Sequence, residues 1–226
     1  MNKRVKELLE QLEEVREQLL AFADDAFYGI DHRNAEQLAK GVEFVRVYNE
    51  RLAAFDQLAD ELSRMIQQYT HVSVEETSAV PSTDRARVER IIRELDTATP
   101  HYLNEDFTYK RPYGFVLRSQ AYKDIVTWRH LYEAVCRVLA ELNPNRWVEL
   151  PNNPVFTSVQ NKKAFSRDAR DLRSPLPTIR GVYAEAHYSA NSIRDNMLKL
   201  LKELGVDDHE LKIYLRQDRD AQVEVG

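Results

Sequence analysis

This 226-residue chain has one cysteine, Cys136, only six glycines, and no long apolar run. A lone cysteine forbids an intramolecular disulfide and any zinc cluster built on several thiolates, so packing alone must hold the fold. No GxGxxG or GxxxxGK arrangement occurs, which removes the phosphate-cradling loops of dinucleotide-binding and P-loop proteins. The six histidines show neither HxH nor HExxH spacing. No stretch reaches the roughly 20 apolar residues a bilayer span needs. The charged start MNKRVKELLEQLEEVREQ also lacks the apolar centre of a signal peptide, so the expectation is a cytoplasmic protein with no membrane partner and no cofactor.

Charge is present in quantity and unevenly placed. Residues 1–106 carry 13 Lys/Arg against 22 Asp/Glu, residues 107–182 carry 13 against 6, and the remainder carries 6 against 9, so a basic island sits between acidic flanks. Such an island suits a polyanion; it equally suits docking on the chain's own acidic helices.

Near the start, Val5, Leu8, Leu12, Val15, Leu19, Phe22 and Ala26 recur at steps of three and four, the ladder of a coiled coil. This predicts a helix over about 2–27. Gly29 lies in the break from Tyr28 to Arg33, and Asn34 can cap a second helix over about 35–69, with Gln37 at the capping-box position. Its seam is read as Leu38, Val42, Val45, Tyr48, Leu52, Phe55, Ala59, Leu62, Ile66 and Tyr69, with a stammer at Tyr48. A short break makes the two helices an antiparallel hairpin over 1–70. Because the second helix is longer, its end around Leu62, Ile66 and Tyr69 is expected to lack a partner in the first and to be covered by the C-terminal part of the chain, by the short helix that follows, or by an interface with a second copy or partner.

A linker is expected over 71–100. It contains a short helix at 84–95 capped by Ser82 or Thr83, whose apolar face is Val88, Ile91, Ile92 and Leu95, suited to cover the end of the second long helix. From 101 onward strand signals appear: Phe107–Lys110, a hairpin over Tyr113–Lys123 with Ser119-Gln120 at its tip, Val155–Val159, Ala164–Ser166, Ile179–Tyr188, and a last strand through Leu211, Ile213 and Leu215. Thr127 caps a helix ending at Asn143-Pro144, and Ser189 caps another that Gly205 ends. The fold class is α+β: a long antiparallel helical hairpin followed by a small α+β domain, 101–226, with two helices on a sheet.

The tract Lys162, Lys163, Arg167, Arg170, Arg173 and Arg180 is the leading candidate for chemistry, since guanidinium groups present several donors to phosphate. Lys110, Arg111, Arg118 and Lys123 form a second basic cluster beside Tyr109, Tyr113 and Tyr122, the first three read as auxiliary contacts, and aromatic faces near cations suit unpaired bases. The expected function is non-enzymatic binding of DNA or RNA through this basic face, with the hairpin mediating association. The alternative is an adaptor whose basic island meets an acidic protein. A third is a metal-dependent hydrolase using Glu185 and His187 on one strand face, although no metal site is assigned. Asn191 and Arg194, near the start of the Ser189-capped helix, are minor candidates for base contact, and Cys136 reads as a buried hydrophobe.

Overall fold

The computed structural model describes residues 2–31, 33–72, 85–158 and 162–217. The linker over 73–84, its expected cap at Ser82 or Thr83, and Val159 lie outside them. The chain divides into two compact units, Met1–Glu76 and Thr77–Gly226.

The first unit is a helical hairpin of α1 (Asn2–Tyr28) and α2 (Ala35–Thr70). Asn34 caps α2 as expected, its side chain accepting from the backbone of Glu36 and Gln37. The ladder read from the sequence is not the buried one. Leu8, Val15 and Phe22 are exposed, whereas Leu9, Arg16 and Ala23 are buried, so the inner seam is Val5, Leu9, Leu12, Arg16, Leu19, Ala23 and Ala26. Two heptad paths share Val5, Leu12, Leu19 and Ala26 here, and the wholly apolar path lost to one carrying an arginine. In α2 the buried residues are Leu52, Asp56, Ala59 and Ser63, spaced 4-3-4, so Asp56 and Ser63 take the places expected for Phe55 and Leu62.

Arg16 reconciles this core with its charge. Its guanidinium donates to Asp56 at 3.2 Å, Asp60 at 2.9 Å and Glu13 at 2.9 Å. Burial works against the charge, but the carboxylates of Glu13, Asp60 and Asp56 more than offset it and Arg16 holds its proton more tightly than usual. These contacts also fix the register. Fourteen residues separate Arg16 from Asn2 and fourteen separate Asp56 from Thr70, so the two free ends finish level to within a turn. The excess length of α2 lies at the turn, where Ile30 packs on Gly41. The expected overhang at Leu62, Ile66 and Tyr69 is therefore corrected: Leu62 and Tyr69 are exposed, but beside α1, and Ile66 continues the inner seam.

The second unit is α+β. Strands β1 (Pro112–Leu117), β2 (Gln120–Lys123) and β6 (Leu211–Leu215) form an antiparallel sheet in the order β2-β1-β6. Strands β3 (Phe165–Ser166), β4 (Pro175–Pro177) and β5 (Tyr183–Glu185) form another in the order β3-β5-β4. Period-two alternation divides the first sheet. Phe115, Leu117, Tyr122, Leu211, Ile213 and Leu215 face the main core with α4 (Trp128–Leu142) and α6 (Ala190–Leu204), while Val116, Ala121 and Tyr214 meet Val88, Ile91 and Leu95 of α3 (Arg85–Leu95). The helix expected in the linker thus covers the second face of this sheet. A short α5 (Pro144–Trp147) follows α4. The caps at Thr127, Ser189 and Gly205 are as expected. Trp128 and Trp147 are fully buried with their indole N–H groups bonded to the Lys110 carbonyl and Thr178 hydroxyl.

Four strand expectations are corrected. Of Val155–Val159, Val155 and Phe156 lie in a 3-10 turn, Pro154–Phe156, and Thr157 makes only an isolated bridge to Lys163. Leu117 pairs with Gln120, so the hairpin tip is Arg118-Ser119, with Arg118 carrying the positive φ that tight turns demand. Phe107–Lys110 is a turn, because Asp106 bonds the backbone and hydroxyl of Thr108 and Asn191 accepts the N–H of Phe107. Of Ile179–Tyr188 only Tyr183–Glu185 is strand; Arg180 and Gly181 take positive φ and turn the chain between β4 and β5.

Candidate nucleic-acid interface

The second sheet organises the basic tract. Phe165 pairs with Ala184 and Ser166 with Tyr183, while Pro175 pairs with Glu185 and Pro177 with Tyr183. Arg167 therefore leaves β3 at the same end of the sheet as the Arg180 turn. Lys162, Lys163 and Arg173 lie toward the other end, across strands only about 10 Å long at 3.3 Å per residue. A bridge between Thr157 and Lys163, with Ser158 N–H donating to the Lys162 carbonyl at 2.8 Å, anchors the lysines.

Local acids neutralise part of the tract. Arg170 bonds both carboxylate oxygens of Asp168, and Lys163 reaches Asp171 at 3.0 Å. The Arg170 contact holds Asp168 down to about 2, and Ser166 and Lys163 lower Asp171. Arg118 is similarly paired with Glu210 at 2.6 and 3.1 Å. Four cations remain uncompensated. Among the described residues Lys162, Arg173 and Arg180 have no side-chain partner, and Arg167 donates only to the Val148 carbonyl, which leaves its charge intact.

The auxiliary cluster is not one cluster. Lys110 and Arg111 precede β1 and Arg118 follows it, about 23 Å apart for an extended strand. Lys110 is half-buried with its ammonium 5.8 Å from the Phe107 ring centre.

Glu185 is bound to backbone groups that precede and follow its own strand. The buried Glu185 carboxylate accepts the backbone N–H of Arg173 at 2.6 Å, Ser174 at 2.9 Å and His187 at 2.8 Å, so it clamps the chain on which Arg173 is displayed. Asn191 and Arg194 are likewise internal braces: Asn191 bonds Phe107, Asp106 and Thr108, and Arg194 donates to the Glu105 carbonyl. Asp207, Asp208 and His209 place ligand-type atoms within 4.8 Å of one another, but they are exposed and Asp207 caps the following turn. Cys136 is buried, its thiol pushed up by desolvation beyond any nucleophilic range.

A feature the sequence did not disclose adjoins Lys162. A cleft of about 440 Å³ has Phe156 and Asn196 as its floor, Thr157 and Tyr188 as walls, and Val155, Ser158, Lys162 and Lys199 at its rim. Asn196 and Lys199 are three apart on α6, so one helix face contributes both, but polar residues recur along this helix and nothing in the pattern singled the pair out. Comparison with protein-family models, with curated proteins and with solved structures finds no match. No helix among the described residues is long and apolar enough to cross a membrane.

Proposed function

We propose that this protein is a non-enzymatic, cytoplasmic nucleic-acid-binding protein whose second unit contacts phosphates through Lys162, Arg167, Arg173 and Arg180. The observation that carries the reading is the concentration of these four uncompensated cations around one three-stranded sheet. Lys163 and Arg170 are secondary contacts, because exposed ion pairs are worth about 0–1 kcal/mol and can yield to a phosphate. Arg118, Lys110 and Arg111 are peripheral. Fluorescence anisotropy with labelled single- and double-stranded DNA and RNA tests this. Four phosphate contacts imply a log–log salt slope of about −3 to −4, reduced by about one for each of Lys162→Glu, Arg167→Glu, Arg173→Glu and Arg180→Glu. Absence of binding at low salt overturns the reading, and a nuclease-resistant complex with an acidic protein would favour the adaptor instead.

The hairpin supports association with a second copy. Phe22 and Phe44 meet edge to face with ring centres 6.4 Å apart while both remain exposed, which puts them on one face. Seven-residue steps from them carry that face through Val15 and Leu8 on α1 and through Arg51, Leu58 and Met65 on α2. Arg4 and Asp25 continue the α1 stripe at its two ends; on α2, Lys40 precedes Phe44 and Glu61 lies between Leu58 and Met65. Laying α1 of one copy over α2 of another, level for level, opposes Arg4 with Glu61, Leu8 with Leu58, Phe22 with Phe44 and Asp25 with Lys40. Sedimentation should give a dimer, and Val15→Glu, on an exposed position, should return it to the monomer mass. A monomeric wild-type chain would remove this part of the proposal.

A further inference from the structure

We infer that the cleft beside Lys162 accepts a single nucleotide unit, base inward and phosphate at the rim; this rests on the nucleic-acid reading above and names the ligand chemistry of its neighbouring site. The floor and one wall supply the aromatic rings of Phe156 and Tyr188, surfaces on which an unstacked base can lie. Asn196, almost fully buried, offers the one side chain at that depth with both a donor and an acceptor, the combination that reads a base edge. Tyr188 lines the cleft beside it. At the rim the ammonium groups of Lys162 and Lys199 have no carboxylate partner among the described residues, and the Ser158 hydroxyl accepts the backbone N–H of Lys162 at 3.0 Å. A purely apolar ligand would leave the two lysines without purpose, and a bare anion would gain nothing from the aromatic floor. A base joined to a phosphate uses both. The volume is within the range of sites that enclose a small organic ligand. Lys162 belongs both to this rim and to the cations of the adjoining sheet, so a strand whose phosphates follow the sheet can lodge one base in the cleft.

The test is equilibrium dialysis of the full chain against the nucleoside 5′-monophosphates, with inorganic phosphate as control and a short single-stranded oligonucleotide as a third probe. Mononucleotides should bind at least about tenfold more tightly than phosphate. Lys199→Glu, a change at an exposed position outside the four sheet cations, should abolish that advantage. Asn196→Ala should alter the ranking of the bases, with tryptophan fluorescence melting used to verify the fold. A strand that binds more tightly than its mononucleotide, and is displaced by it, identifies nucleic acid as the source; a free nucleotide that binds as tightly as the strand identifies a soluble ligand. Equal binding of phosphate and mononucleotides overturns the inference, as does oligonucleotide affinity unchanged by both variants. The latter leaves the sheet contacts standing, whereas loss of all oligonucleotide binding with retained mononucleotide binding overturns the sheet reading and keeps the cleft.

Discussion

Replacing Arg16 by methionine, of similar length but uncharged, would take the bonded guanidinium away from the Asp56 carboxylate in the hairpin core. Arg16 and Asp56 are each only 6% exposed, and their 3.2 Å contact is the innermost of the three that Arg16 makes. Removing one member of a buried pair costs about 3–5 kcal/mol, because the remaining charge stays desolvated. Asp56→Leu should be milder, about 1–3 kcal/mol, since Arg16 keeps Asp60 and Glu13. The double variant Arg16→Met/Asp56→Leu removes both buried charges and leaves Asp60 partly hydrated, so its stability should fall within about 1 kcal/mol of the parent or exceed it. Urea unfolding followed by far-UV circular dichroism at 222 nm reads the helices. Both tryptophans, Trp128 and Trp147, belong to the second unit, so their fluorescence reports separately whether that unit is affected. If Arg16→Met costs under about 1 kcal/mol, or the double variant loses the sum of the two single effects, the contact is not a desolvated pair and the account of the hairpin core is wrong.

Three further outcomes follow from the second unit. The Tyr122 hydroxyl is buried with no hydrogen-bond partner among the described residues, so Tyr122→Phe should raise stability by about 1 kcal/mol, visible as a later urea midpoint in tryptophan fluorescence. Glu185→Gln puts an amide N–H₂ where backbone donors already point and should cost roughly 2–3 kcal/mol in the same assay; an unchanged midpoint would refute the clamp. Burial raises Tyr122 and Tyr188 to about 12 from an ordinary value near 10, which favours their protonated forms in the fold. Their contribution is therefore fully present below pH 10 and is lost as pH climbs through 12, so alkaline urea titrations should show a falling midpoint in that window, and a flat profile would contradict it.

Local chemistry was legible in the sequence and long-range chemistry was not. Asn34, Thr127, Ser189 and Gly205 announce helix ends because each acts on backbone groups within a few residues. The alternation of Leu211, Ile213 and Leu215 likewise required only the strand period. The hairpin's buried seam escaped because an arginine in a core position is readable only with its acids, forty and forty-four residues away. Glu185 looked like a ligand from its neighbour His187, yet its partners are the N–H groups of Arg173, Ser174 and His187 itself, which a side-chain pattern cannot show. The basic tract was visible as composition, but which cations keep their charge depended on Asp168, Asp171 and Glu210. The cleft joins the segment around Phe156 to Asn196 and Lys199, an encounter made by tertiary packing alone.

The contact between Arg16 and Asp56 does not record whether its two helices belong to one molecule. An opened turn would let α1 of one chain take the place of α1 in another with every seam contact retained, the geometry of a domain-swapped pair. What distinguishes the closed hairpin is the bend itself, where Gly41 leaves room for Ile30: a Cβ at that position would stand 2.6 Å from Ile30 Cγ1. Gly41, the glycine of α2, thus sits where the returning chain packs closest against the helix, and the bend depends on it in a way the seam does not.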